Sequence, residues 1–213
     1  MIKFKSCIYG VIHKISEEII LVRDYLDKIK NLLDHIIITD RKSEQYEYND
    51  GINKVVEILK KCKTQRGCLY ICGNGGSAGI AQHMTADFLK NGGIRTYNMY
   101  GQSTITCISN DLTYEYVFCK QLEMLAEDGD ILIAISSSGE SENIIKAIRE
   151  MQRVKGTVIT LTGFQEENQI RKMGDINIYV PAKQYGMVES VHNLILQQMV
   201  DEIVETDGIA MRI

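Results

Sequence analysis

A three-layer α/β domain is the fold class this 213-residue chain predicts: five parallel strands covered by helices on both faces, with a helical pair on the N-terminal side. Three observations carry that expectation. From Cys68 onward, short apolar runs alternate with helical stretches. Most of the runs are predominantly apolar rather than apolar at every second residue, Ile131–Ile135 wholly so, as strands buried on both faces require, and most end at a glycine or serine. The length suits one domain, and 45% hydrophobic with 24% charged residues is a globular composition.

Taken in order, the chain opens with apolar positions at Ile12, Ile15, Ile19, Val22, Leu26, Ile29 and Leu33, a 3-4 spacing kept for three heptads. Ile20, Leu21 and Leu32 widen the stripe, so the helix is expected to meet another subunit as well as its own domain. His13 and His35 lie on this part as surface or interface residues. Asp40 to Asp50 reads as a polar connection, after which Ile52, Val55, Val56, Leu59 and Cys62 share one face of a second helix. Strands are expected at Cys68–Cys72, Arg95–Met99, Ile131–Ile135, Thr157–Leu161 and Ile176–Val180. Between and after them, helices are expected near Ser77–Leu89, Tyr114–Leu125, Ser141–Met151, Glu166–Lys172 and Val188–Val204. Residues 1–66 are then N-terminal helices for packing and oligomerisation, and 67–213 the α/β core of a single domain.

Composition excludes several classes of function. A net charge of -4 leaves no nucleic-acid footprint. No stretch approaches the roughly 20 apolar residues of a membrane helix, and residues 2–11 lack the pattern of a secretory signal. Cys7, Cys62, Cys68, Cys72, Cys107 and Cys119 include no CxxC pair, so free, buried thiols in a cytoplasmic chain are expected.

Two loops at the carboxyl ends of strands carry the chemistry, because open α/β sheets bind ligands there. Cys72-Gly73-Asn74-Gly75-Gly76-Ser77-Ala78 joins the first strand to its helix, whose first N–H groups face an incoming anion. Ser136-Ser137-Ser138-Gly139-Glu140-Ser141 sets four hydroxyls around a glycine at another helix start, a neutral phosphate cradle; its plainer reading is a loop with an N-cap at Ser141. Gly73, Gly75 and Ala78 fit the dinucleotide spacing, but no acid follows the second strand and no GxxxxGK(S/T) loop is present. A phosphorylated small molecule is favoured, and no nucleotide cofactor.

CGNGGSA with Ala81-Gln82-His83, AISSSGES and Leu161-Thr162-Gly163 together resemble the sugar isomerase (SIS) family, in its phosphoheptose isomerase branch, over about Leu69 to Val204. The resemblance implies a flavodoxin-like sheet, a homotetramer, and a sugar phosphate as substrate and small-molecule partner. Phosphate contacts would fall to Asn74, Gly75, Gly76, Ser77, Ser136, Ser137, Ser138 and Ser141, with Asn110 and Asp111 near the sugar. The implied reaction is aldose–ketose isomerisation through an enediol, which needs a base and a group that stabilises an oxyanion.

At the catalytic positions the chain departs from that branch. Of its four zinc-site groups His83 is retained, Asp87 replaces a glutamate, Glu189 a glutamine and Gln197 a histidine. His83, Asp87 and Glu189, with Gln197, remain a set for one divalent metal, zinc by resemblance. Glu189 and Asp87 are the candidate base and metal-binding carboxylates, and His83 a ligand or acid. His192, three residues after Glu189, reads either as a further catalytic or metal group or as a packed interface histidine. Glu140 stands where relatives carry an asparagine and is expected to face solvent. A second reading is a non-catalytic phosphosugar-binding or protein-interaction module, as in initiator-associating tetramers of the family.

Overall fold

The computed structural model describes residues 24–208, and contacts divide the chain between His35 and Ile36. In the first unit, residues 24–33 are helical (α1), with a Lys28–Asp24 pair one turn apart. The heptad positions Ile12, Ile15, Ile19 and Val22, and His13, lie outside the described residues.

The second unit runs β1 (Ile37–Asp40), β2 (Gln45–Tyr46), α2 (Tyr48–Gln65), β3 (Cys68–Cys72), α3 (Gly76–Lys90) and β4 (Arg95–Tyr97). It continues with α4 (Gln102–Asp111), a 3-10 turn (Tyr114–Tyr116), α5 (Cys119–Leu125), β5 (Ile131–Ser136) and α6 (Glu142–Arg153). Then come β6 (Thr157–Thr162), a second 3-10 turn (Gln169–Lys172), β7 (Ile176–Tyr179) and α7 (Tyr185–Thr206). One sheet orders the strands β2-β1-β7-β6-β5-β3-β4, with β4, β3, β5, β6 and β7 parallel. These are the five strands expected, and β5 and β7 are buried at every residue, as a sheet covered on both faces demands.

Seven strands rather than five complete the sheet. β1 pairs antiparallel with β7 and with β2, inside the stretch expected to hold helix end and polar connection. The turn is local: the Asp40 carboxylate accepts the N–H groups of Lys42 and Glu44 at 2.8 and 2.9 Å. Ile36, Ile37 and Ile38 form a run too short for periodicity to tell strand from helix. Ile38 is fully buried under Gly51 of α2, where even a Cβ would come within 2.7 Å of it. α4 is not expected either: none of its residues is fully buried, and its apolar side is no more than Ile105 and Ile108, which pack against the core.

Alternate side chains of the central strands feed two layers. Tyr70, Cys72, Leu132, Ala134 and Val158 pack with Phe118, Leu122, Ile144, Ile145 and Ile148, burying the inner faces of α5 and α6. On the other side α3 packs on α7 and α7 on α2. In α7, Val188, Val191, Ile195, Met199, Val200 and Ile203 are fully buried, each contributing about 1.5–3 kcal/mol of apolar burial. β3 has β4 on one side and β5 on the other, so strand order reverses between β3 and β5. That crevice is where such a sheet places its ligand.

Candidate active site

Both loops singled out in the sequence flank this crevice. They share a pocket of about 110 Å³ lined by Asn74, Ser77 and all four loop serines, with Glu189 and Tyr185 contributed by α7. No lysine or arginine lines it. Ser136 Oγ lies 3.5 Å from Ser138 Oγ and 3.4 Å from Ser141 Oγ, and Ser137 Oγ is buried without any hydrogen-bond partner. A hydroxyl denied a partner costs about 1–3 kcal/mol, which a ligand oxygen accepting from it recovers. Ser141 occupies the N-cap position of α6 yet makes no side-chain cap, and Gly75 leaves α3 equally uncapped. Both helix starts therefore present amides to an anion.

The glycine loop is tied down by residues not anticipated from sequence. Tyr100 donates its hydroxyl proton to Gly73 O and accepts the Gly73 N–H, both at 2.8 Å, and burial pushes its phenol well above the ordinary range. Asn74 and Asn143 exchange amide hydrogen bonds at 2.9 and 2.8 Å, and Tyr114 donates to Asn74 Oδ1 at 2.9 Å. Asn143 carried a legible signal, a buried amide on the apolar face of α6 one turn before Ala147 and two before Met151. Tyr100 and Tyr114 carried none, lying 27 and 40 residues from what they hold.

Glu189 enters the pocket over Gly76. A Cβ at Gly76 would lie 2.3 Å from Glu189 Oε2, so the glycine makes room for that carboxylate. The other candidates sit elsewhere. His83 is exposed on α3 and pairs with Asp87 at 3.4 Å, and Gln197 Nε2 lies 3.4 Å from Asp201 Oδ1. Among the described residues no three His, Cys, Asp or Glu side chains converge as a metal site. The donor set His83, Asp87, Glu189 and Gln197 thus does not fit a zinc ion as placed in this chain, because Glu189 is drawn to the serine pocket. Asn110 and Asp111 bond to each other on exposed α4 and do not line the pocket. Glu140 is exposed as expected, and its Oε1 accepts the Gln169 N–H at 2.9 Å.

His192 takes the packed reading. Its ring is fully buried outside the pocket, Nε2 donates to Thr162 O at 3.0 Å, and Nδ1 has no partner. Desolvation lowers its pKa to about 4 against the partial opposition of the Thr162 bond. A depressed histidine contributes stability above its unfolded pKa near 6.5 and loses it as pH falls toward 4. Thermal melts across that window should show wild type losing about 3 kcal/mol more than His192→Phe between pH 6.5 and 4. Parallel pH profiles for the two chains would show that the ring is not held neutral by burial.

Residues 24–163 match the family model "SIS domain", and the chain belongs to that family. Phosphoheptose isomerases are among its relatives. That of Shewanella loihica is 34% identical over 189 residues, covering 85% of this chain and 95% of the relative. That of Shewanella frigidimarina is 37% identical over 165 residues, 74% and 84% of the two chains. Among solved structures, the phosphoheptose isomerase of Neisseria gonorrhoeae superposes with TM-score 0.74 at 28% identity, covering 85% of this chain and 97% of its own. The enzyme from Francisella tularensis gives 0.75 at 26%, covering 88% and 98%.

Proposed function

We propose that the chain is a sugar-phosphate aldose–ketose isomerase acting on sedoheptulose 7-phosphate or a close ketose phosphate. The observation that carries this reading is a carboxylate and a hydroxyl cradle in one pocket: Glu189 beside Ser136, Ser137, Ser138 and Ser141, with Ser137 Oγ unpartnered. The serines and the uncapped starts of α3 and α6 hold the phosphate without a cation. Glu189 takes the proton from the carbon next to the carbonyl and returns it to the carbonyl carbon, while the hydroxyl proton passes from one oxygen to the other, the exchange that defines the reaction. No step is assigned to a metal.

A scaffold that only bound partners would need neither the carboxylate nor the cradle, and nothing observed favours that reading. A homotetrameric assembly is supported by exposed apolar side chains, among them Tyr97, Leu112, Tyr116, Met124 and Leu125. A cytoplasmic location rests on the unpaired cysteines, and among the described residues no helix is long and apolar enough to cross a membrane. The test is a panel of ketose phosphates in deuterium oxide followed by NMR for exchange at C1 and C2. Exchange with sedoheptulose 7-phosphate is expected, and saturable binding without exchange on any member defeats the enzyme reading.

A further inference from the structure

The serine pocket is too small to enclose a sugar phosphate. Its volume of about 110 Å³ falls below the roughly 300–1,000 Å³ of sites that bury whole small ligands. With the phosphate in the cradle, the carbon chain must pass along the rim. Tyr185 stands there, the first residue of α7, lining the pocket while 62% exposed. An aromatic ring left largely exposed beside a polar cradle offers area to an apolar surface.

That ring is braced. Phe164 and Tyr185 pack in a T-shaped pair, with centroids 4.7 Å apart and planes at 72°. To do so Phe164 adopts φ of +58°, a left-handed backbone that costs a bulky residue about 1–3 kcal/mol. Two bonds hold it there: its N–H donates to Ala182 O at 2.8 Å, and Tyr179 donates its hydroxyl proton to Phe164 O at 3.1 Å. Next to Tyr185, Gly186 has no atom within 4 Å of where a Cβ would be, so the ground beside the ring stays clear.

We propose that Tyr185, braced by Phe164, is a specificity-determining platform on which the carbon chain of the phosphorylated substrate lies, its C–H face against the ring. This deepens the phosphosugar reading and rests on it. The electron-rich ring face attracts the weakly positive C–H hydrogens of a polyol and rewards chains long enough to reach from the cradle to the rim. Inorganic phosphate fills the cradle and does not touch the platform.

Titration calorimetry on the full chain separates the two. Tyr185→Ala is expected to weaken sedoheptulose 7-phosphate about 3- to 10-fold, while inorganic phosphate stays within about two-fold of wild type. Tyr185→Phe, which keeps the ring and loses the hydroxyl, should bind both ligands within about two-fold of wild type. Phe164→Gly should weaken the sugar phosphate without lowering thermal stability, because it removes the brace and the strain together. The platform is overturned if Tyr185→Ala binds the sugar phosphate like wild type, if Tyr185→Phe loses as much as Tyr185→Ala, or if phosphate alone weakens equally. Because these measurements read binding, a wild-type chain that binds sugar phosphates without isomerising them defeats the isomerase reading and leaves the platform test intact.

Discussion

Glu189→Gln is expected to lower kcat on sedoheptulose 7-phosphate by about 10²- to 10⁴-fold, the range typical of a lost general base. The substitution keeps the shape of the side chain over Gly76 and removes only its charge, so the pocket should remain folded. Binding of inorganic phosphate should tighten at the same time, because the carboxylate lines the cradle and repels an anion placed in it. Opposite movements of turnover and phosphate affinity would be hard to produce by structural damage, which weakens both. Calorimetry with phosphate and a turnover assay on the same preparation decide the matter, and wild-type turnover removes Glu189 from the chemistry.

Gly139→Ala should be the most damaging single methyl in the serine loop. Gly139 has φ of +70°, and a Cβ there would lie 2.0 Å from Asn168 Oδ1 and 2.6 Å from Asn168 Cβ. Asn168 cannot withdraw cheaply: it is 1% exposed, accepts the Arg171 N–H, and donates to Gly163 O and Gln165 O. Backbone strain and the displaced buried amide together predict a loss of about 3 kcal/mol or more, a fall of roughly 6–12 °C in Tm. Gly75→Ala is the control, with φ of +55° but no atom within 4 Å, and should lose only about 1 kcal/mol. Equal Tm shifts in the two variants would mean that backbone strain alone, not the Asn168 contact, sets the cost.

The contrast between these glycines shows how much of the site was legible in the chain. The two loops, their places after β3 and β5, and the serines were readable because turn chemistry and strand pattern are local. Glu189 was readable as a residue, but its partner in space was not. Its company is decided by where α7 meets α3, and Gly76 leaves the room in which the carboxylate sits beside the serines. The same limit hid Tyr100 and Tyr114, since nothing local marks a tyrosine as the clasp of a distant glycine loop. In the fold, β3 and β5 announced themselves by nearly unbroken apolar runs, whereas β4, Arg-Thr-Tyr at the edge of the sheet, was marked only by its place between two helical stretches. β1 carried neither mark, because Ile36, Ile37 and Ile38 continue an apolar stretch that helical spacing also accommodates.

That first strand also sets the timing of the molecule's manufacture. β1 leaves the ribosome before any of its core, yet its only partners are β2 and β7, and β7 is the last strand made. Through most of synthesis Ile38 has no strand beyond its own hairpin to lie against. When β7 arrives, its outer edge is a row of open amides and carbonyls on a strand buried throughout. β1 covers that edge, so one pairing hides both the earliest described strand and the outer side of β7. A nascent chain stopped short of Ile176 would carry β1 without its seal, the state in which this protein is most exposed to capture or aggregation.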